Sequence, residues 1–256
     1  MDESLTFKDE YGHHVSAILN RSSPDATGLV VLCHGFLSNK NSTTNKTLTR
    51  MLNEAGLATF RFDFFGQGES EGPFEDITVS GSVGQAHGAV DFVRSQGYER
   101  IGLVGSSFGG LVAILTTAQR QDIACLALKC PVVDFAEEFR LEFGPDELAR
   151  WHATDTIPNL MGGEGRIRLK HEMYEDCLRN IAYGPASKIV APTLIVQGAR
   201  DELVPLHQSQ RLLEALGGQK RLDLLPEADH QFTRGEDFRA MTTAIGDWLV
   251  AHLTTG

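Results

Sequence analysis

The sequence predicts an α/β domain built on a mostly parallel sheet with helices on both faces. Two observations carry this. Short, continuous apolar runs such as Gly28–Cys33, Ile101–Val104 and Ile123–Cys130 read as strands buried on both faces. Segments with apolar residues at three- and four-residue spacing alternate with them, and that rhythm is the mark of helices crossing over between parallel strands. At 256 residues, with 41% hydrophobic and 22% charged residues, the chain suits one α/β domain or two small ones.

The chain opens with strand-like pieces at Leu5–Phe7 and His14–Leu19 around the turn signal Asp9-Glu10-Tyr11-Gly12, a hairpin. The Gly28–Cys33 run ends in His34-Gly35-Phe36, and a polar stretch rich in helix-capping residues follows. Leu48, Met51, Leu52 and Ala55 predict a helix closed by Gly56. Leu57–Phe64 alternates as a strand and runs into the Gly-rich turn Asp63-Phe64-Phe65-Gly66-Gln67-Gly68-Glu69-Ser70. Residues 77–96 predict a helix. After the strands at 101 and 123, the composition shifts between about Pro131 and Lys188, where a hairpin is expected from Ile157 to Leu169 around Gly162-Gly163-Glu164-Gly165-Arg166. This gives a core of residues 1–132 and 188–256 with residues 133–187 inserted as a small cap or lid. The rhythm resumes with a strand at 192–198, a helix at 208–216, a strand at 220–225 and a final amphipathic helix at 238–253.

A net charge of −11 argues against nucleic-acid and anionic-membrane surfaces. No apolar run approaches the roughly 20 residues that span a bilayer. The acidic Met1-Asp2-Glu3-Ser4 carries no secretory signature, so a cytoplasmic location is expected. Cys33, Cys125, Cys130 and Cys177 show no metal-ligand spacing and read as small reduced core residues.

The chemistry concentrates at Gly105-Ser106-Ser107-Phe108-Gly109, a G-x-S-x-G pattern between an apolar strand and a helix. Such a corner pushes Ser107 out at the C-terminal sheet edge, where ligands of open α/β sheets bind. A serine hydroxyl needs an imidazole to take its proton and a carboxylate to orient that imidazole. Of nine histidines, His230 sits where the strand 220–225 runs out into a loop before the last helix, at the same edge. Asp201 and Glu202 follow the strand ending at Gly198. Asp229 is a poor partner, because adjacent side chains on an extended segment point apart. The oxyanion of a tetrahedral intermediate needs two donors, and the main-chain N–H groups of Phe108 and Phe36 are placed for this.

With these pieces together the chain resembles the α/β-hydrolase superfamily. The likeness rests on His34-Gly35-Phe36, Asp63-x-x-Gly66-x-Gly68-x-Ser70, Gly105-x-Ser107-x-Gly109, Asp201 and His230. It implies the α/β-hydrolase fold, with Ser107 as nucleophile, His230 as base, Asp201 as its partner in the order Ser…Asp…His, and Phe36 and Phe108 as oxyanion donors, without metal or cofactor. Asn39-Lys40-Asn41, Arg61-Phe62-Asp63-Phe64 and the inserted hairpin are similar to bacterial cinnamoyl (feruloyl) esterases. In those enzymes the insert offers a tyrosine near the hairpin. Here Trp151 and Tyr174 stand as candidate substrate contacts, beside His34 and Gly35. The resemblance implies a feruloyl-type esterase or a carboxylesterase for small to medium acyl groups. A serine aminopeptidase or C–C bond hydrolase shares the triad, and a non-catalytic small-molecule binder is the reading from outside enzymology. The expected partner is a small ester, with no nucleic acid or membrane, and a homodimer is allowed for.

Overall fold

A computed structural model describes residues 2–23, 26–157, 160 and 167–254. Its centre is an eight-stranded sheet formed by β1 (Asp2–Lys8), β2 (His14–Asn20), β3 (Gly28–Cys33), β4 (Ala58–Phe62), β5 (Arg100–Ser106), β6 (Ile123–Lys129), β9 (Thr193–Gly198) and β10 (Lys220–Leu225). The spatial order is β1-β2-β4-β3-β5-β6-β9-β10. The hairpin β1–β2 and its junction with β4 are antiparallel, and all other pairs are parallel. This is the α/β-hydrolase fold expected from the sequence.

Side chains alternate across each strand, so β3 feeds two cores. Val30 and Leu32 pack with Leu48 and Leu52 of α1 (Thr43–Glu54) and with Met241, Ile245, Leu249 and Leu253 of α8 (Gly235–Leu253). Leu29 and Val31 face the other core, with α2 (Val79–Ser95) and α3 (Phe108–Gln119). Burying each such aliphatic side chain is worth roughly 1.5–3 kcal/mol. Every residue of β3, β4 and β9 is buried; β3 reads as an unbroken apolar run, whereas the buried Thr59 and Arg61 give β4 its alternating pattern. Ser42 and Thr78 cap α1 and α2 by accepting from main-chain N–H groups of the first turn. The four cysteines are buried and unpaired.

Between β6 and β9 the chain is largely helical: α4 (Phe135–Thr154), α5 (Glu172–Arg179) and α6 (Tyr183–Ala186). A short antiparallel pair, β7 (Thr156–Ile157) and β8 (Leu169–Lys170), joins α4 to α5 where the hairpin was expected. The Gly162–Arg166 turn lies outside the described residues. α7 (Leu206–Ala215) closes the crossover to β10. No helix among the described residues is long and apolar enough to cross a membrane.

Candidate active site

Ser107 stands between β5 and α3 as the cap residue of α3, at φ 53° and ψ −118°. Positive φ is strained for a residue with a side chain and persists only where the surroundings impose it. The surroundings here are two glycines. A Cβ on Gly105 would come within 2.4 Å of the Gly109 carbonyl oxygen, and one on Gly109 within 2.3 Å of the Cys33 and 2.4 Å of the His34 carbonyl oxygens. The corner can therefore close only with glycine at both places. Main-chain bonds pin it further: Ser107 N–H donates to Lys129 O at 2.9 Å, and Val132 N–H donates to Ser107 O at 3.1 Å.

Asp201 follows β9 and is held by its own turn. Its Oδ1 accepts from the N–H groups of Leu203 (3.0 Å) and Val204 (2.8 Å). Its Oδ2 accepts from Gln197 Nε2 at 2.8 Å, and Ser209 Oγ donates to Gln197 Oε1 at 2.8 Å. His230 Nδ1 donates to the same carboxylate, 2.9 Å from Oδ2. That bond fixes the tautomer with Nε2 left as the acceptor. Burial alone would raise the Asp201 carboxyl, but the His230 hydrogen bond and charge, the Val204 N–H and the Cys130 thiol outweigh it and hold it below its ordinary value.

The His230 backbone is clamped as firmly. Its N–H donates to Glu202 Oε2 at 3.2 Å, and its carbonyl accepts from Lys129 Nζ at 2.8 Å. Lys129 is 5% exposed and also lies over the Phe232 ring, 5.3 Å from its centroid. Burial pushes this ammonium's pKa down, while the carboxylates of Asp201, Asp229 and Glu202 oppose the shift. Of the two acids after β9, Asp201 thus meets the imidazole and Glu202 its main chain. Asp229 turns away, bonding Thr233 N–H at 2.9 Å. Ser107 Oγ and His230 make no hydrogen bond among the described residues. Such bonds are commonly long without substrate and tighten in the complex.

The candidate oxyanion donors sit on either side of Ser107. Phe108 is the first residue of α3, so its N–H has no partner within the helix, and the helix dipole favours negative charge there. Phe36 lies on the loop after β3, which packs against the corner: a Cβ on Gly35 would stand 3.6 Å from Ser107 Cβ. The Phe36 ring joins those of Phe74, Phe108 and Phe135 at centroid distances of 5.1–5.5 Å. The loop is also tied to the Gly-rich turn. Lys40, 2% exposed, pairs with the fully buried Asp63 through both its ammonium and its main-chain N–H. Asp63 in turn accepts from Glu69 N–H at 2.9 Å, and its carbonyl accepts from Ser70 Oγ at 2.6 Å.

Two expected substrate contacts are corrected. His34 is 1% exposed, with Nδ1 donating to Gly35 O at 2.8 Å and Nε2 accepting from Phe64 N–H at 3.1 Å. Both nitrogens are used, and burial brings its pKa down to about 4, so it is a neutral loop fastener. Trp151 is 1% exposed and donates Nε1–H to Leu169 O at 3.0 Å, so it forms the inner packing of the inserted helices. Tyr174 packs on Phe139 and Trp151. Gly35 lies beneath the corner.

Glu138, on the first turns of α4, stands outside the triad and oxyanion motifs. The residue is only partly buried, but its Oε1 is sealed from solvent without a hydrogen-bond partner. Burial, then the charges of Asp201, Glu137, Asp134 and Glu142, raise its pKa well above the ordinary 4.5. Beside the Phe36 loop opens a cavity of about 500 Å³, bordered by Leu37, Ser38, Gln67, Phe74, Ile167 and Arg168. It flanks the loop rather than Ser107 itself.

A family model described as Hydrolase_4, serine aminopeptidase S33, matches residues 24–166, more than half of the chain. The chain belongs to this family. Among solved structures it is similar to the ferulic acid-bound Est1E of Butyrivibrio proteoclasticus, at 24% identity and a TM-score of 0.86, covering 98% of this chain and 100% of that one. Among curated proteins it is 23% identical to the mitochondrial palmitoyl-protein thioesterase ABHD10 of Bos taurus, over 94% of this chain and 83% of that protein. It is 24% identical to an uncharacterized 31.7 kDa protein of Escherichia coli encoded between traX and finO, over 88% of this chain and 91% of that protein. The protein is thus a hydrolase of the α/β-hydrolase fold, and these neighbours, all under 25% identical, speak to the fold.

Proposed function

We propose that the protein hydrolyses carboxylic esters through an acyl-enzyme on Ser107. The observation that carries this reading is the strained Ser107 corner at the N-terminus of α3, on the same sheet edge as the Asp201–His230 pair. In the proposed cycle Ser107 Oγ attacks the ester carbonyl while His230 Nε2 takes its proton. The oxyanion is met by the N–H groups of Phe36 and Phe108, each such donor being worth about 3–4 kcal/mol of transition-state stabilisation. His230 then protonates the leaving alcohol, and water, activated by the same imidazole, releases the acid. Asp201 stays ionised throughout and holds the imidazolium. The segment 133–187 serves as a cap over the acyl group.

The acyl class proposed is an aromatic acid of the feruloyl type. Phe36, half-buried and backed by the buried rings of Phe108 and Phe135, offers an aromatic surface for such an acyl group. Glu138, whose carboxyl pKa burial raises above its ordinary value and whose Oε1 has no hydrogen-bond partner, is the polar group offered to an oxygen of the acyl group. A thioester is the second reading, favoured by the similarity to the palmitoyl-protein thioesterase along nearly the whole chain.

The test is a panel of methyl ferulate, methyl cinnamate, p-nitrophenyl esters of rising acyl length, a palmitoyl thioester and an aminoacyl amide. The feruloyl reading predicts the highest kcat/KM for ferulate, and a loss in Glu138→Leu that is larger for ferulate than for cinnamate. Preference for the palmitoyl thioester replaces it with the second reading, and preference for the amide overturns ester hydrolysis. In a comparable triad enzyme, removing the nucleophile costs on the order of 10⁶ in kcat, so Ser107→Ala is expected to be inactive on every substrate.

A further inference from the structure

His152, at the end of α4, converges with His171 and Glu175, at the start of α5. His152 lies in the last turn of α4, His171 is the cap residue of α5, and Glu175 stands one turn into α5. The two imidazoles meet edge to face, with ring centroids 4.7 Å apart at 63°. His171 Nδ1 lies 3.4 Å from Glu175 Oε1. One ligand atom from each of the three lies within 4.8 Å of the others.

Two imidazole nitrogens and one carboxylate oxygen are the donor set of a borderline divalent ion. Zinc bound by nitrogen and oxygen at about 2.0–2.2 Å requires its donors roughly 3.3–3.5 Å apart, so the three need only a small closure. One ligand is anchored and two are adjustable. His171 is 9% exposed, its ring stands edge-on to Trp151 at 5.5 Å, and its N–H donates to Asp155 O at 2.8 Å. His152 and Glu175 are exposed, and their rotamers can close the remaining distance.

We propose that His152, His171 and Glu175 form a binding site for a divalent transition-metal ion, zinc in preference to magnesium or calcium, with water completing the coordination. The ion ties the end of α4 to the start of α5. In sequence these two points bracket the β7–β8 pair, so the ion reinforces a junction otherwise held by Trp151 Nε1 on Leu169 O and by the His171–Asp155 main-chain bond.

A second group of potential ligands, a thiol, a carboxylate and an imidazole, exists at Cys130, Asp201 and His230. Its imidazole and carboxylate are already bonded to each other, burial pushes the Cys130 thiol far up, and the Lys129 ammonium beside them repels a dication. The two groups make separate predictions.

The experiment is isothermal titration of zinc chloride into the chelator-treated full chain in a non-coordinating buffer, with thermal melting alongside. One equivalent of zinc is expected to bind and to raise the melting midpoint. His152→Ala and Glu175→Gln, both at exposed positions and each to be checked for an intact fold by circular dichroism, are expected to weaken binding at least tenfold and to abolish the midpoint shift. The proposal is overturned by absence of stoichiometric binding to the unaltered chain, or by His152→Ala binding like it. Loss of binding in Cys130→Ser but not in His152→Ala likewise overturns it and moves the ion to the Ser107 site.

Discussion

At the scale of single residues, opposing electrostatic terms set the behaviour of the site. Asp201 is buried yet held below its ordinary 3.8, because hydrogen bonds to the charged form outweigh desolvation. A carboxyl with a depressed folded-state pKa stabilises the fold above its unfolded pKa, and that contribution is lost as pH falls through the folded value. Asp201→Asn is therefore expected to flatten the loss of stability below about pH 4, measured by urea unfolding across pH 2–6. Glu138 carries the reverse sign. Its folded-state pKa is raised, so the folded chain holds a proton that the unfolded chain releases above 4.5, and stability declines as pH rises through that window. Glu138→Gln keeps the shape without the ionisation and is expected to be more stable than the unaltered chain at pH 7.5 but not at pH 4, by the same assay. Lys129 positions His230 through its carbonyl, and a hydrogen bond from a charged group is worth roughly 1.5–3 kcal/mol. Lys129→Met is expected to lower kcat by about tenfold or more with little change in KM; a change confined to KM would contradict the positioning role. Lys129, Gln197 and Ser209 were not legible in the sequence, because each acts through a side-chain contact that no motif spacing records. Ser107 was legible because its neighbours within two residues force its geometry.

At the scale of elements, the corner and the oxyanion loop are one unit. Gly109 touches the carbonyls of Cys33 and His34, so the β5–α3 corner and the loop after β3 share a contact that no side chain can enter. Overpacking costs about 1–3 kcal/mol when side chains can yield, and here the obstacles are backbone oxygens. Gly109→Ala is expected to lower both the melting midpoint and kcat, read by calorimetry and steady-state kinetics. Lys40 and Asp63 hold the same loop from the other side. Breaking one partner of a buried pair costs about 3–5 kcal/mol, since it strands the other charge. Lys40→Met is expected to fall in that range by urea unfolding, and Lys40→Met with Asp63→Asn to recover much of it. The strand–helix rhythm of the core was readable because β3, β5, β6 and β9 are buried in mostly apolar runs and β4 alternates. The inserted helices were not. The α4 helix contains Gly144-Pro145 and a non-helical residue at Gly144, and its buried positions, Phe135, Ala136, Phe139 and Trp151, keep no steady 3.6-residue period. Its charged positions drew attention instead to the hairpin, which is two residues long on each side.

At the scale of the whole molecule, the parallel sheet gathers residues far apart in sequence. Strands β3, β5, β9 and β10 run the same way, so the loops bearing Phe36, Ser107, Asp201 and His230 leave from one edge. The two cores on either side of β3 keep that edge rigid, and rigidity is what lets donors and base be in place before charge develops. The most direct test of the account is labelling with a fluorophosphonate, which reacts preferentially with a serine activated by a base and faced by an oxyanion site. Peptide mass spectrometry is predicted to find the adduct on Ser107, with labelling lost in Ser107→Ala and strongly slowed in His230→Ala. An adduct on another residue, or labelling of Ser107 that His230→Ala leaves at full rate, would contradict it.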